Sequence, residues 1–313
     1  MNDSSPIFEK IALIGAGLIG SSIALAARRA NLAGHIAAYV PRPETRARAE
    51  KAGFADSLHA EIEPAVADAD LVVLATPVGA YEALAKLAAP YLKQGAILTD
   101  VGSVKAVVIK DVGPHVPPGV HLIPGHPVAG TEQSGPEAGF AELFDGRWCI
   151  LTPPAGVDAE ALGKLKEFWR RCGSEVETME AKHHDLVLAI TSHVPHLIAY
   201  NIVGTAADLE TVTQSEVIKY SASGFRDFTR IAASDPTMWR DIFLNNREAV
   251  LEMLGRFNED LTALQRAVRW GDGETLFKLF TRTRAIRRSI IEAGQDTPQP
   301  NFGRSRSGAG GRR

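Results

Sequence analysis

The chain has 313 residues, enough for two domains with well-buried cores. Hydrophobic residues make up 45% and charged residues 23%, with a formal net charge of −3, which excludes a disordered chain and leaves no basic surface for nucleic acid or an anionic membrane. The two cysteines, Cys149 and Cys172, match neither a metal-ligand spacing nor a disulfide framework, so no metal site is expected. No apolar run is expected to reach the roughly 18 residues of a spanning helix. The start, Met1-Asn2-Asp3-Ser4-Ser5, carries no basic leader, so a cytoplasmic protein is expected.

From Lys10 to about Thr178, short apolar runs alternate with helical patterns. Strands are predicted over residues 11–14, 36–40, 71–75, 97–100, 121–123, 149–151 and 175–178. Several are apolar at consecutive positions, as parallel strands covered on both faces must be. Helices are predicted between them over 18–30, 44–52, 80–92, 104–112 and 159–171. That alternation predicts an α/β fold, with an N-terminal Rossmann-type doubly wound parallel sheet over residues 1–179. From Ala181 onward apolar residues recur at three and four, as in Leu186, Ile190 and Val194, which predicts an all-α C-terminal domain over 180–294. Residues 295–313, rich in Gly, Ser and Arg, cannot bury a core and are expected to form a disordered tail.

The first predicted strand runs into Gly15-Ala16-Gly17-Leu18-Ile19-Gly20 and then a helix. In that setting Gly15 permits a tight turn, Gly17 lets a pyrophosphate approach the backbone, and Gly20 lets helix and strand pack closely. The phosphates would meet the unpaired N–H groups at the helix start, around Leu18 and Ile19. A dinucleotide cofactor, NAD or NADP, is therefore expected. The second strand closes without the acid that usually takes the ribose hydroxyl; Ala38-Tyr39-Val40-Pro41-Arg42 stands there, and Arg42 could pair with a 2′-phosphate or be a surface arginine. Thr76-Pro77, after the next strand, falls where the nicotinamide ribose is expected.

Ser103, in Asp100-Val101-Gly102-Ser103-Val104-Lys105, either orients a nearby imidazole or carboxamide or caps a helix starting at Val104; the two roles are compatible. His126 lies between Gly125 and Pro127, read as a rigid turn that holds its imidazole still. A neutral histidine beside a hydride acceptor is suited to take the proton of an alcohol being oxidised. In the helical half, Ser192-His193-Val194-Pro195-His196 places two histidines on one face if Pro195 only kinks the helix. They read as a buried pair rather than a metal site, because no carboxylate motif accompanies them. Arg226 and Arg230, four apart, suit a dianionic small molecule or, individually, a solvated face or ion pair.

Five segments together carry a resemblance: GAGLIG at Gly15, DVGSVK at Asp100, GHPVAGTEQSG at Gly125, SHVPH at Ser192 and GFRDFTRIAASDPTMWRDIFLNN at Gly224. In that order, from about Lys10 to about Ala293, the chain resembles the prephenate/arogenate (cyclohexadienyl) dehydrogenases of tyrosine biosynthesis. The resemblance implies oxidative decarboxylation of prephenate to 4-hydroxyphenylpyruvate, or of arogenate to tyrosine, with hydride transfer to NAD(P)+. It also implies roles for individual residues. His126 would take the hydroxyl proton and Ser103 orient it; Arg230 would bind the ring carboxylate, with His196 in the same pocket. Thr131, Glu132 and Ser134 would surround the substrate side chain, Trp239 lies in the DPTMWRD segment, and the helical domain would form a homodimer. Two other readings are kept: a 3-hydroxy acid dehydrogenase using Lys182 as general acid, and a nucleotide sensor without catalysis.

Overall fold

The computed structural model describes residues 5–131, 133–213 and 222–292, with residues 209–213 described by their backbone alone. Six strands form the main sheet: β1 (Phe8–Ile14), β2 (Ala33–Tyr39), β3 (Ser57–His59), β4 (Leu71–Leu74), β5 (Ile97–Asp100) and β6 (His121–Leu122). Their order is β3-β2-β1-β4-β5-β6 and all pairings are parallel. The crossovers carry α1 (Leu18–Arg29), α2 (Pro43–Ala52), α3 (Ile62–Val66), α4 (Tyr81–Ala88) and α5 (Ala106–Val112). The order reverses between β1 and β4, which opens a crevice at the carboxyl ends of the strands, where ligands of such sheets bind.

Consecutive apolar residues in β1 follow from burial on both faces. Ile11 and Leu13 pack into one core with Ile23, Ile36 and Phe54, while Ala12 and Ile14 pack into another with Val72, Leu98 and Val108. Burying a side chain of that size contributes about 1.5–3 kcal/mol, so neither face tolerates polar residues.

Several expectations are corrected. The strands predicted at 149–151 and 175–178 do not extend the doubly wound sheet. They form β8 (Trp148–Leu151) and β9 (Glu175–Thr178) of a separate three-stranded sheet with β7 (Gly125–Pro127). Here β7 runs antiparallel to β8, with His126 opposite Ile150, and β8 runs parallel to β9 through α6 (Ala159–Arg171). The segment expected as a turn around His126 is therefore a strand. Its proline is admitted because β7 is an edge strand, where a missing ladder donor costs nothing. Short β3 and α3, three and five residues long, were not expected, because neither shows an apolar period. The predicted helix 80–92 resolves into α4 flanked by single 3-10 turns, the second around Pro90.

Beyond β9 the chain is helical: α7 (Ala181–Leu188), a π-helical turn (Ala189–His193), α8 (Val194–Thr213), α9 (Ser223–Thr229), α10 (Pro236–Asn245), α11 (Arg247–Trp270) and α12 (Gly273–Glu292). Two compact units are present, Met1–Arg247 and Glu248–Arg313, and the change from mixed structure to helices falls inside the first. Residues 295–313 lie outside the described residues.

One helix, Ala181–Asp208, is long and apolar enough to cross a membrane by length and composition, with mean hydropathy 1.5 over its best window and 28% of that window buried. It passes on its average composition and not on an uninterrupted apolar run. Thr191, Ser192, His193 and His196 interrupt the apolar letters into short runs without lowering the average far.

Candidate active site

The loop from β1 to α1 shows why glycine stands at Gly15. Its φ is +116°, and a Cβ there would meet the Ala75 carbonyl oxygen at 2.6 Å. A Cβ on Gly20 would meet the Gly15 oxygen at 2.7 Å and Ala75 Cβ at 3.3 Å, so α1 packs directly onto the loop and the end of β4. Gly17 is different: nothing lies within 4 Å of where its Cβ would be. No side-chain cap closes α1 at this residue, so the N–H groups of its first turn, starting at Leu18 and Ile19, have no capping side chain. That is an anion cradle. Thr76, beside Gly15 at the end of β4, keeps a buried Oγ1 without a protein partner, and Pro77 next to it is exposed. An open cradle and an orphaned hydroxyl fit a dinucleotide. Arg42 is exposed just before α2, and Arg46 donates to the Val40 carbonyl at 2.9 Å.

At the end of β5, Asp100 and Lys105 form an ion pair with both side chains fully buried. Asp100 Oδ1 accepts from the Gly125 N–H at 3.1 Å, Asp100 Oδ2 accepts from the Gly102 N–H at 2.8 Å, and Lys105 Nζ donates to the Gly125 carbonyl at 2.6 Å. The residue before His126 is thus clamped through both of its peptide groups. Burial pushes the Asp100 carboxyl up and the Lys105 amine down, and their pairing opposes both shifts.

His126 is buried on β7 at the carboxyl edge of the main sheet. Its Nδ1 lies 2.9 Å from His184 Nε2, and His184 Nδ1 lies 2.8 Å from Asp185 Oδ1. Asp185 also accepts from the Lys105 N–H at 2.7 Å and the Ala106 N–H at 2.9 Å, so its carboxylate caps α5 from another element. Burial, then the neighbouring His184, Lys105 and His193, push the His126 pKa well below its ordinary value. Burial also lowers His184, against its hydrogen bond to Asp185. The helix expected from Val104 starts instead at Ala106, and Asp185 caps it, so Ser103 is not its N-cap. Ser103 is half-buried in the connection from β5 to α5.

Around the other histidines, the π turn takes the place of the expected simple kink at Pro195. Pro195 has no N–H for the carbonyl one turn back, and a widened turn just before it absorbs that loss. His193 is fully buried, its Nδ1 lies 3.0 Å from Asn246 Nδ2, and burial pushes its pKa to about 4. His196 stacks on Trp239 with ring centroids 3.6 Å apart, while His193 meets the same indole edge-on at 6.1 Å. His196 Nδ1 lies 2.8 Å from the Ser192 carbonyl, and burial first, then the Arg230 charge, lowers its pKa against that hydrogen bond. Trp239 Nε1 is buried without a protein partner, a donor left for a ligand. Arg230 follows α9 and is exposed, close enough to His196 to act on it; Arg226 is exposed and lies 3.6 Å from Asp227. Thr131 is half-buried and Ser134 exposed, on the segment after β7; Glu132 lies outside the described residues.

His184, Asp185, Asp100, Lys105 and Asn246 were not singled out from the sequence. The segment Lys182-His183-His184-Asp185 drew attention only for Lys182, which is exposed. A usable signal was present: in a helix starting near Ala181, apolar Leu188 and Ala181 share a face with His184 and Asp185.

Two family models match the chain, the prephenate dehydrogenase nucleotide-binding domain over residues 23–178 and the prephenate dehydrogenase dimerization domain over residues 180–282. A cyclohexadienyl dehydrogenase of Zymomonas mobilis is 41% identical over 284 residues, 91% of this chain and 97% of that one. The crystal structure of Aquifex aeolicus prephenate dehydrogenase with hydroxyphenyl propionate and NAD+ superposes with a TM-score of 0.84 at 34% identity, covering 90% of this chain and 98% of that one. Synechocystis arogenate dehydrogenase gives a TM-score of 0.75 at 25% identity over 90% and 99% of the two chains. With both halves matched and a relative this similar along its whole length, the chain belongs to the prephenate dehydrogenase family.

Proposed function

We propose that this NAD(P)-dependent dehydrogenase oxidatively decarboxylates prephenate to 4-hydroxyphenylpyruvate, and accepts arogenate as a second substrate, in tyrosine biosynthesis. The observation that carries the reading is a buried, neutral His126 at the carboxyl edge of the same sheet that carries the empty-sided Gly17 loop. Gly15, Gly17, Leu18, Ile19, Gly20, Thr76 and Pro77 would hold the dinucleotide, with Arg42 beside its adenosine end. When bound, NAD or NADP supplies the hydride acceptor. His126 takes the proton of the ring hydroxyl while the hydride leaves the carbon that bears it and carbon dioxide departs, and the proton then returns to the phenolate oxygen so formed. Aromatisation drives the reaction, so the protein has only to position the ring and accept one proton. Ser103 orients the hydroxyl or the imidazole.

Arg230 and His196 hold the ring carboxylate, and Trp239 lies against the ring plane occupied by His196. A carboxylate that must leave as neutral gas gains little from tight binding, so Arg230 contributes orientation more than transition-state stabilisation. Thr131, Ser134 and Glu132 would meet the side chain, whose keto or amino group separates the two substrates. The Zymomonas relative, named for cyclohexadienyl substrates in general, supports dual use. A homodimer through the helical portion is supported by the matched dimerization domain and by strongly exposed apolar side chains such as Val268, Trp270 and Phe277.

The test pairs prephenate or arogenate with NAD or NADP in four assays that follow reduced-cofactor absorbance. Turnover is expected with prephenate. Cofactor binding without turnover in all four would overturn the reading in favour of a nucleotide sensor.

A further inference from the structure

We infer that His184 and Asp185 form a relay behind His126 that fixes which of its two nitrogens is the base, making His184 a positioning residue for the reaction. The inference rests on the dehydrogenase reading above and adds a direction to each hydrogen bond. Asp185 is the fixed end: its carboxylate accepts from the Lys105 and Ala106 N–H groups at 2.7 and 2.9 Å, so it can only accept from His184 as well. His184 must then carry its proton on Nδ1, 2.8 Å from Asp185 Oδ1. Burial keeps His184 from taking a second proton, so its Nε2 presents a lone pair. That lone pair lies 2.9 Å from His126 Nδ1, which must donate to it. His126 is left with a bare Nε2 as its base. The two rings meet edge-on, with centroids 5.1 Å apart and an interplanar angle of 70°.

When His126 Nε2 takes the hydroxyl proton, the Nδ1 proton is shared with His184 Nε2, and the positive charge spreads toward the Asp185 carboxylate. No proton or electron is gained beyond the one taken from substrate. An orienting group behind an imidazole is the logic of other proton-transfer sites, with a second histidine here placed between imidazole and acid. The charged and titratable groups facing His126 are His184 from α7, Lys105 ahead of α5 and His193 from the π turn; those facing His184 include Asp100 as well.

The test combines a spectrum with kinetics. Long-range proton–nitrogen spectra of 15N-histidine-labelled protein, without substrate, are expected to show His126 protonated on Nδ1 alone at neutral pH; protonation on Nε2 overturns the inference whatever the activity. His184→Phe removes the acceptor and is expected to lower kcat at least about tenfold, with KM for substrate within about twofold, and to move the His126 signal toward the Nε2–H form. His184→Gln keeps an oxygen acceptor and should recover most of kcat. A Phe variant that folds, by thermal melt, with unchanged kcat and pH profile would sink the relay while leaving the dehydrogenase reading intact. A Phe variant that fails to fold leaves the decision to the wild-type spectrum and the Gln variant. Wild-type protein silent with every substrate would sink the dehydrogenase reading, and the tautomer would still be read.

Discussion

His126 is kept neutral by burial, and three cationic or ionisable neighbours push in the same direction. A base of that kind stays unprotonated through the whole neutral range, so the acid limb of kcat/KM is expected below pH 6.5, the ordinary histidine value. His126→Asn keeps a hydrogen-bonding amide near the Nδ1 position and removes the proposed base; kcat should fall by a factor on the order of 100 or more, read in steady-state assays. Arg230 differs in kind. It is exposed and is proposed to meet a substrate carboxylate before chemistry, so Arg230→Gln should raise KM for substrate with a much smaller change in kcat. His126 stands out in the sequence because Gly125 and Pro127 flank it beyond a dinucleotide signature, while the role proposed for Arg230 comes from the family resemblance. His184 was not legible, because a histidine next to an aspartate on a helix looks like any polar surface until the helix phase is known.

The element that holds the proposed base is the short sheet of β7, β8 and β9, tied to the main sheet by the buried Lys105–Asp100 pair. Both partners bond the peptide groups of Gly125, one residue before His126. Lys105→Met would strand the Asp100 carboxylate in a dry site, and breaking such a pair costs about 3–5 kcal/mol. A drop of that size in denaturant unfolding is expected; a change under 1 kcal/mol would show that solvent reaches Asp100. The main sheet could be read almost strand by strand, since consecutive apolar residues such as Leu71–Leu74 leave few alternatives. The second sheet could not. Gly125, His126 and Pro127 carry no β-branched side chain, and only pairing with Ile150 and Cys149 makes them a strand.

Across the whole molecule, buried neutral histidines make stability depend on pH in one direction. Their folded pKa values lie below the unfolded value, so as pH falls through about 6.5 the unfolded chain takes up protons that the folded chain refuses. Stability is complete above that value and declines below it. His193 alone, pushed to about 4, accounts for a loss on the order of 3 kcal/mol between pH 6.5 and 4, and His126 and His184 add to it. Urea midpoints at pH 7.5 and 4.5 should differ accordingly, and equal midpoints would show that the histidines titrate normally. Sedimentation should give about twice the 33.6 kDa chain mass if the helical portion pairs.

The widened turn at Ala189–His193 makes the site depend on counting. Such a turn accommodates one residue more than an α-helix does, and each residue advances a helix by about 100°. His196 stands twelve positions after His184, about 120° out of phase in a regular helix; with one residue absorbed by the wide turn the interval behaves as about eleven, close to three full turns, so both face inward from one continuous rod. Inserting one further residue beside the exposed Thr191 would leave every named side chain in the protein while turning His196 about 100° away from its indole, seen as loss of the shielding that the stacked ring gives in proton NMR. The information that joins the proposed proton acceptor to the proposed substrate pocket is held in an interval, and an insertion in this helix would do more harm than most replacements.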